Sequence, residues 1–352
     1  MGGRRIGLDI GSTAIRAAEV STNGGRIRLL RMAQVPLPPG AVASGEVRDT
    51  AQVSEAIREL WRSAQFRSRD VMLGVGNQRV VVREVSIPWL EEKELRQSLP
   101  FQVQEFVPIS VEDAILDYQL IEEFQHEGRR MIRILLVAAM KSMIDQMIQA
   151  VEGAGLNPVG IDLIPFALLR SVATRGFGDL ESEEGDEAVV DVGADVTSVC
   201  VHAAGVPRFV RVLPAGGREI TSSVAKMLNV SEEEAERLKR GATAGVTQEV
   251  VDEARAAIGT RVASFVDEIR SSLDFYASQS PGTRIKRVLL TGGGSKLRGL
   301  MDMLSERLVG SVGEGHPFHG LTVEVRADER LLSEVEPLLA VAVGLAIPGA
   351  AA

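Results

Sequence analysis

One pattern constrains this chain more than any other, because it occurs twice. Residues 5–13 read Arg-Ile-Gly-Leu-Asp-Ile-Gly-Ser-Thr, and residues 188–197 read Ala-Val-Val-Asp-Val-Gly-Ala-Asp-Val-Thr. Each is a short apolar strand ending in Asp-x-Gly with hydroxyl residues, and each is followed by a second β-rich run, Ala14–Val20 and Ser198–His202. Asp9 and Asp191 lie 182 positions apart, about half of the 352 residues. Glycine in such a turn lets backbone N–H groups approach an anion, and an Asp at the strand end can hold a cation bound to it. Two such hairpins, one from each half, predict two related α/β lobes gripping one phosphate-bearing ligand between them.

The remaining periodicities support a duplication. Three strands are expected over 5–35, with Asn23-Gly24-Gly25 as the turn between the second and third. Residues 50–66 have helical spacing, with Val53, Ile57, Leu60 and Trp61 on one face, and strands are expected at 71–75 and 79–87. From Pro88 to about Asn157 the texture changes. A charged helix over 90–107 bears the stripe Leu95, Leu99, Val103 and Phe106 and is kinked at Pro100. Strands at 114–124 and 130–140 follow, joined by a polar turn at 125–128, and then a helix at 141–154. This helix–strand–strand–helix block reads as a small subdomain inserted in the first half, with the stripe as its own core. After a strand at 159–163 and a helix at 166–174, residues 178–187 hold six acidic residues and two glycines without hydrophobic period. They read as a solvated linker rather than a metal site.

The second half repeats the opening and adds a third strand at 206–213. Gly216-Gly217 opens a helix over 218–228, Ser231 starts a capping-box helix ending near Lys239, and a long helix covers 248–279. A strand over 287–291 runs into Gly292-Gly293-Gly294; a strand at 321–325 and a last helix from near Ser333 follow. The order β-β-β-α-β-α thus occurs twice.

Charge and cysteine usage exclude several functions. A net charge of −9 argues against a broad nucleic-acid footprint. A single cysteine, Cys200, forbids an internal disulfide and fits a reducing compartment. The N-terminus enters a strand at once, without the apolar region of a signal peptide. The apolar run 338–352 falls short of the ~20 residues a membrane span requires, and reads as a packed core helix. The expectation is a cytoplasmic protein with no nucleic-acid partner and no direct membrane insertion.

Four glycine-bearing positions are candidates for the ligand. Gly11, Ser12 and Thr13 form one phosphate turn, and Gly193 with Thr197 the other. Gly216-Gly217 stands at a helix start, where free N–H groups attract anions. Gly292, Gly293 and Gly294 let something flat lie against the backbone. These segments, with Pro214–Thr221 and Glu234–Lys239, resemble the signature segments of the actin/Hsp70/FtsA superfamily, in the right order over nearly the whole chain. Within it the chain is similar to the PilM family, actin-like proteins of type IV pilus assembly. That finer match rests on 95–108 followed by 113–119, on 161–170, and on 268–276.

The resemblance implies an actin/Hsp70-like fold: duplicated ribonuclease-H-like domains around a nucleotide cleft, with an inserted FtsA-type subdomain. On that plan residues 1–84, 161–187 and 333–352 form the first core subdomain, 85–160 the insertion, 188–225 and 284–332 the second core subdomain, and 226–283 a helical subdomain. It implies ATP bound with Mg²⁺. By position Asp9 and Asp191 match the metal-associated aspartates, and Gly11, Ser12, Thr13, Gly193 and Thr197 the phosphate turns. Gly216 and Gly217 match the next nucleotide loop, Glu236 and Lys239 the pair flanking the adenosine, and Gly292, Gly293 and Gly294 the adenine loop. The implied partner is the cytoplasmic N-terminal tail of a PilN-like inner-membrane protein, seated between the insertion and the first core, alongside other inner-membrane or motor components. The protein would then sit at the inner membrane through that partner.

Three departures qualify the resemblance. Arg16 stands where the superfamily often has a lysine near the β-phosphate, a forked donor in place of a point charge. Asp195 adds a carboxylate to the second turn, either facing solvent or weakening phosphate binding. Ile164 precedes the Pro of the strand–helix junction, where Hsp70-like ATPases place a water-orienting Glu; Asp162, two residues earlier, is the candidate substitute. Without a carboxylate in reach, water activation is poor, so ATP binding with slow or no hydrolysis is expected. Two alternatives differ: an FtsA-like cell-division protein, against which stands the absence of charge after Glu336, and a sugar kinase, for which no sugar-facing Asp is found.

Overall fold

Antiparallel hairpins open both halves of the computed structural model, which describes residues 3–173, 185–279 and 282–349. In the first half β1 (Arg4–Ile10), β2 (Ala14–Asn23) and β3 (Arg26–Pro36) form a meander. A two-strand hairpin follows, β4 (Val42–Ala43) and β5 (Glu46–Val47), then α1 (Thr50–Ala64) and β6 (Asp70–Val75). The α1 start is set by Asp49, whose carboxylate accepts the Gln52 N–H at 2.9 Å. Its spacing then buries Val53, Ala56, Ile57 and Leu60 against the sheet.

The inserted subdomain is a three-stranded sheet with one helix on it. β7 (Val80–Pro88), α2 (Glu92–Gln102), β8 (Ala114–His126) and β9 (Arg129–Met140) give the strand order β7-β9-β8. Leu95, Leu99 and Val103 pack on Val85, Ile87, Ile134 and Leu136, so the expected stripe is this subdomain's own core. The stripe ends at Val103, because α2 stops at Gln102; Phe106 is partly exposed and Val107 is buried instead. Two boundaries differ from expectation. The whole of β7 belongs to this sheet, whereas α3 (Lys141–Gly153) does not: its Met143, Ile144, Met147 and Val151 join the core of the first half, and Ala150 O accepts from Ser54 Oγ of α1.

β10 (Asn157–Leu163) returns to the first sheet and leads into α4 (Ile164–Leu168), continued by a π-helical turn at Leu169–Ala173. The second half follows: β11 (Asp186–Val192), β12 (Thr197–Ala203), β13 (Val206–Leu213), α5 (Gly217–Leu228), α6 (Glu232–Lys239), α7 (Gln248–Gln279), β14 (Ile285–Thr291), α8 (Leu300–Arg307) and β15 (Ser311–Glu314). The acidic stretch at 178–184 lies outside the described residues. Its expected last members, Asp186 and Glu187, are not linker. They are buried in β11, where Tyr276 hydroxyl donates to Asp186 while Arg287 and His202 meet Glu187.

The two main sheets repeat one plan. The first runs β10-β6-β1-β2-β3 and the second β15-β14-β11-β12-β13, three antiparallel strands followed by two parallel additions on the far side of the first strand. The first has a sixth member, β16 (Thr322–Val323), parallel to β3. The chain therefore rejoins the first half before the expected boundary at 333. After α9 (Glu329–Val335), α10 (Ala340–Ala346) is buried against β1 and α4, a packed core helix as its composition suggested. That contact needs glycine: a Cβ on Gly344 would fall on the Ala167 carbonyl oxygen, and one on Gly7 on that of Ala342.

Candidate functional site

The two Asp-x-Gly turns close in the same way. Gly11 N–H donates to Ala14 O at 3.1 Å, and Gly193 N–H to Val196 O at 3.0 Å. Each hairpin thereby presents residues 12–13 or 194–195 at its apex, with Asp9 or Asp191 on the strand leading in. The apices face one another across a cleft of about 1070 Å³. Its walls include Asp9, Gly11, Ser12, Thr13, Arg16, Asp191, Gly193, Gly217, Glu236, Lys239, Gly292, Gly293 and Gly294. Residues 9 and 191, far apart in sequence, are thus brought to one cavity.

The cleft's electrostatics suit a cation bridged to an anion. Burial raises the Asp9 carboxyl above its ordinary range, against the lowering effect of Arg16. Burial, then the neighbouring Asp9 charge, pushes Asp191 up to about 7. Arg16, opposite Asp9 in the β1–β2 register, lies 3.7 Å from its carboxylate, and its buried Nε has no hydrogen-bond partner among the described residues. Among the described residues no group of three His, Cys, Asp or Glu side chains stands ready to hold a metal. Two carboxylates beside a guanidinium with one unspent N–H fit a hard cation that brings water and phosphate oxygens as its remaining ligands.

The adenosine-side candidates form a brace. Lys239 Nζ donates to Gly217 O at 2.9 Å, to Thr221 Oγ1 at 2.8 Å, and pairs with Glu236 at 2.6 Å. Burial raises the Glu236 carboxyl, but the bonds from Lys239 and Thr221 outweigh it and bring it down to about 2. On the facing loop Gly292 has a φ of 82°, and a Cβ there would strike the Asp191 carboxylate. Glycine at 292 is what lets that carboxylate reach the cleft floor.

Three expected residues are not cleft walls. Thr197 is fully buried, and its hydroxyl donates to Ala215 O at 2.8 Å, tying the turn to the segment before α5. Gly216 packs under the second turn, where a Cβ would come within 2.6 Å of the carbonyl oxygens of Gly193 and Ala194. Asp162 is engaged by the Arg170 guanidinium and by its neighbour's Leu163 N–H, and Arg170 also donates to Gly344 O at 3.0 Å. Its place is a link between β10 and α10. Ile164 does line the cleft, pressed on Gly74 and Gly76. Asp195 does not face open solvent: Oδ2 accepts the Ser44 N–H at 3.0 Å, and Oδ1 lies 2.6 Å from Arg218 Nε as an ion pair, without a hydrogen bond among the described residues. Arg218, Ser198, Gly74 and Gly76 are walls that the motifs did not single out. For Arg218 the available signal was its place in the first turn of a glycine-opened helix.

Two sheets of one plan, facing a cleft lined by paired Asp-x-Gly turns, define the actin-like ATPase fold. The chain belongs to the type IV pilus assembly protein PilM family, which it matches over residues 7–350. It superposes on a chain of a PilM-PilN type IV pilus biogenesis complex with a TM-score of 0.82 and 29% identity, covering 97% of each chain. MreB5 of Spiroplasma citri bound to ADP shares the fold at a TM-score of 0.52 and 10% identity, over 97% of this chain and 94% of that one. The cell division protein FtsA of Bacillus subtilis is 24% identical over 260 residues, 67% of this chain; the match spans only 57% of FtsA's length. Among the described residues no helix is long and apolar enough to cross a membrane.

Proposed function

We propose that the protein is an ATP-binding, actin-like adaptor of pilus assembly that recruits the cytoplasmic N-terminal tail of a PilN-like inner-membrane protein, and so works at the inner face of that membrane. The observation that carries this is the end-to-end likeness to a chain from a PilM-PilN complex. Asp9 and Asp191 would hold Mg²⁺, largely through water. The ion supplies charge neutralisation for the phosphates. Arg16 then directs its free N–H toward them, the backbone of residues 11–13 and 193–195 supplies further donors, and Gly292–Gly294 accommodate the base beside the Glu236–Lys239 brace.

Hydrolysis is slow or absent in this reading. The residue at the strand–helix junction that faces the cleft is Ile164, and Asp162 is occupied by Arg170. A general base within hydrogen-bond reach of the attacking water is missing from both positions. ATP then acts as a brace for the two lobes rather than as fuel.

The test is a pull-down of the full chain with N-terminal peptides of the bitopic membrane proteins encoded in the same genome, with and without Mg-ATP. Capture of one such peptide is expected. Capture of none sinks the adaptor role, and robust ATP turnover that disappears in Asp9→Asn overturns the brace.

A further inference from the structure

Two of the joins between the lobes are unlike; a third runs from the Gly292 N–H and the Thr291 hydroxyl to the Pro337 carbonyl. Deep in the molecule the join is apolar: Leu168, Leu169 and Val172 of the first half share a core with Val189, Cys200 and Leu289 of the second. Such a join is made by apolar side-chain packing rather than by charged groups. At the mouth of the cleft the join is polar. Arg218, in the first turn of α5, pairs through Nε with Asp195 at 2.6 Å and donates through Nη2 to the Ser12 carbonyl of the opposite phosphate turn at 3.3 Å. The other oxygen of Asp195 accepts the N–H of Ser44, in the β4–β5 turn of the first lobe, at 3.0 Å. Both Asp195 and Arg218 are walls of the cleft, and the Asp195 side chain is only 11% exposed.

We propose that Asp195 and Arg218 form a clasp across the cleft mouth that sets how long a bound nucleotide is retained. The proposal rests on the nucleotide reading of the cleft. Each residue bonds one lobe to the other, and each holds its partner in place to do so. The forked guanidinium can meet Asp195 and Ser12 together, which a lysine ammonium on a flexible stem does poorly. The Arg218 N–H also donates to Ala194 O at 2.8 Å, so the clasp is fixed to the second phosphate turn itself. Opening the cleft at this mouth breaks the Arg218–Ser12 and Ser44–Asp195 bonds together. Charge-assisted bonds of this kind weaken in salt, whereas the apolar join does not. Asp195 and Arg218 are thus positioning residues.

The experiment is stopped-flow displacement of a fluorescent ATP analogue from the full chain, as wild type, Asp195→Ala and Arg218→Lys. Loss of charge-assisted bonds predicts release on the order of tenfold faster in both variants, with association little changed. Raising salt from about 0.1 M to 1 M should speed release more from wild type than from Asp195→Ala. Release that is unchanged or slower in both folded variants overturns the clasp. If wild type binds no nucleotide, the reading of the cleft fails on its own, and hydrogen exchange in the ligand-free protein then decides the clasp. Asp195→Ala should speed exchange at the Ser44 amide; unchanged exchange there overturns it.

Discussion

Asp191 couples proton binding to stability, beside an Asp9 carboxyl that burial also raises. The Asp191 value of about 7 in the folded chain stands against 3.8 for the free side chain. Between those values the native state binds a proton that the unfolded chain has released, so stability falls as pH rises from about 4 to about 7. Melts of ligand-free protein between pH 5 and 8 should show a declining midpoint, and Asp191→Asn should flatten that slope. On the proposed reading of the cleft, Mg-ATP would displace the same proton, and its affinity should tighten as pH rises through the window; titration calorimetry in buffers of different ionisation enthalpy would register the release. A second prediction concerns Ile164. Replacement by Glu puts a carboxylate where the cleft lacks one, and general-base catalysis contributes roughly 10²- to 10⁴-fold when well placed. An increase in turnover of at least about tenfold is expected for Ile164→Glu; an unchanged rate would mean that another step limits hydrolysis. At this scale the sequence was readable wherever a residue's role follows from its turn. Gly11, Gly193 and Gly292–Gly294 could be placed at the cleft wall for that reason. Thr197 and Gly216 were not, because which face of a turn a residue occupies depends on the neighbouring segment, here the Ala215 carbonyl and the second phosphate turn.

Among elements, α10 and α2 make opposite predictions. The α10 backbone lies against α4 at Gly344, leaving no space for a methyl group, so Gly344→Ala should cost about 1–3 kcal/mol of global stability by denaturant titration. Leu99, 3% exposed under α2, is confined to the inserted subdomain. Leu99→Ala should cost about 2–5 kcal/mol there, abolishing peptide capture while ATP affinity stays near wild type. Equal loss of both activities in Leu99→Ala would show that the insertion does not act as a separate unit. Helices with a single apolar stripe, such as α1 and α7, were legible from periodicity. The period of α3 marked it as a helix without showing which core would bury it, and β15, four residues long, is too short to have a period at all.

For the whole molecule, a ligand that binds only the folded, clasped form stabilises it by mass action. Mg-ATP at a hundred times its dissociation constant adds about 2.7 kcal/mol. Scanning calorimetry should show a midpoint several degrees higher with Mg-ATP, and chelation of the metal should remove most of the gain. An unaltered midpoint would mean that the cleft does not take the nucleotide. The duplicated sheet order was visible in outline because each half begins with the same strand–turn–strand. The return of the chain to its first sheet was not, since strand pairing between residues 28–29 and 322–323 leaves no local trace. That return has a consequence for synthesis. Every strand of the second sheet comes from one uninterrupted stretch, 186–314, whereas Val20 and Leu29 of the first lobe wait for residues 339–347 to cover them. On a ribosome, the lobe made second can finish first, and the lobe begun at Arg4 stays open until the last helix emerges. The Asp-x-Gly turn at residues 9–13 is therefore the half of the cleft that is seated last.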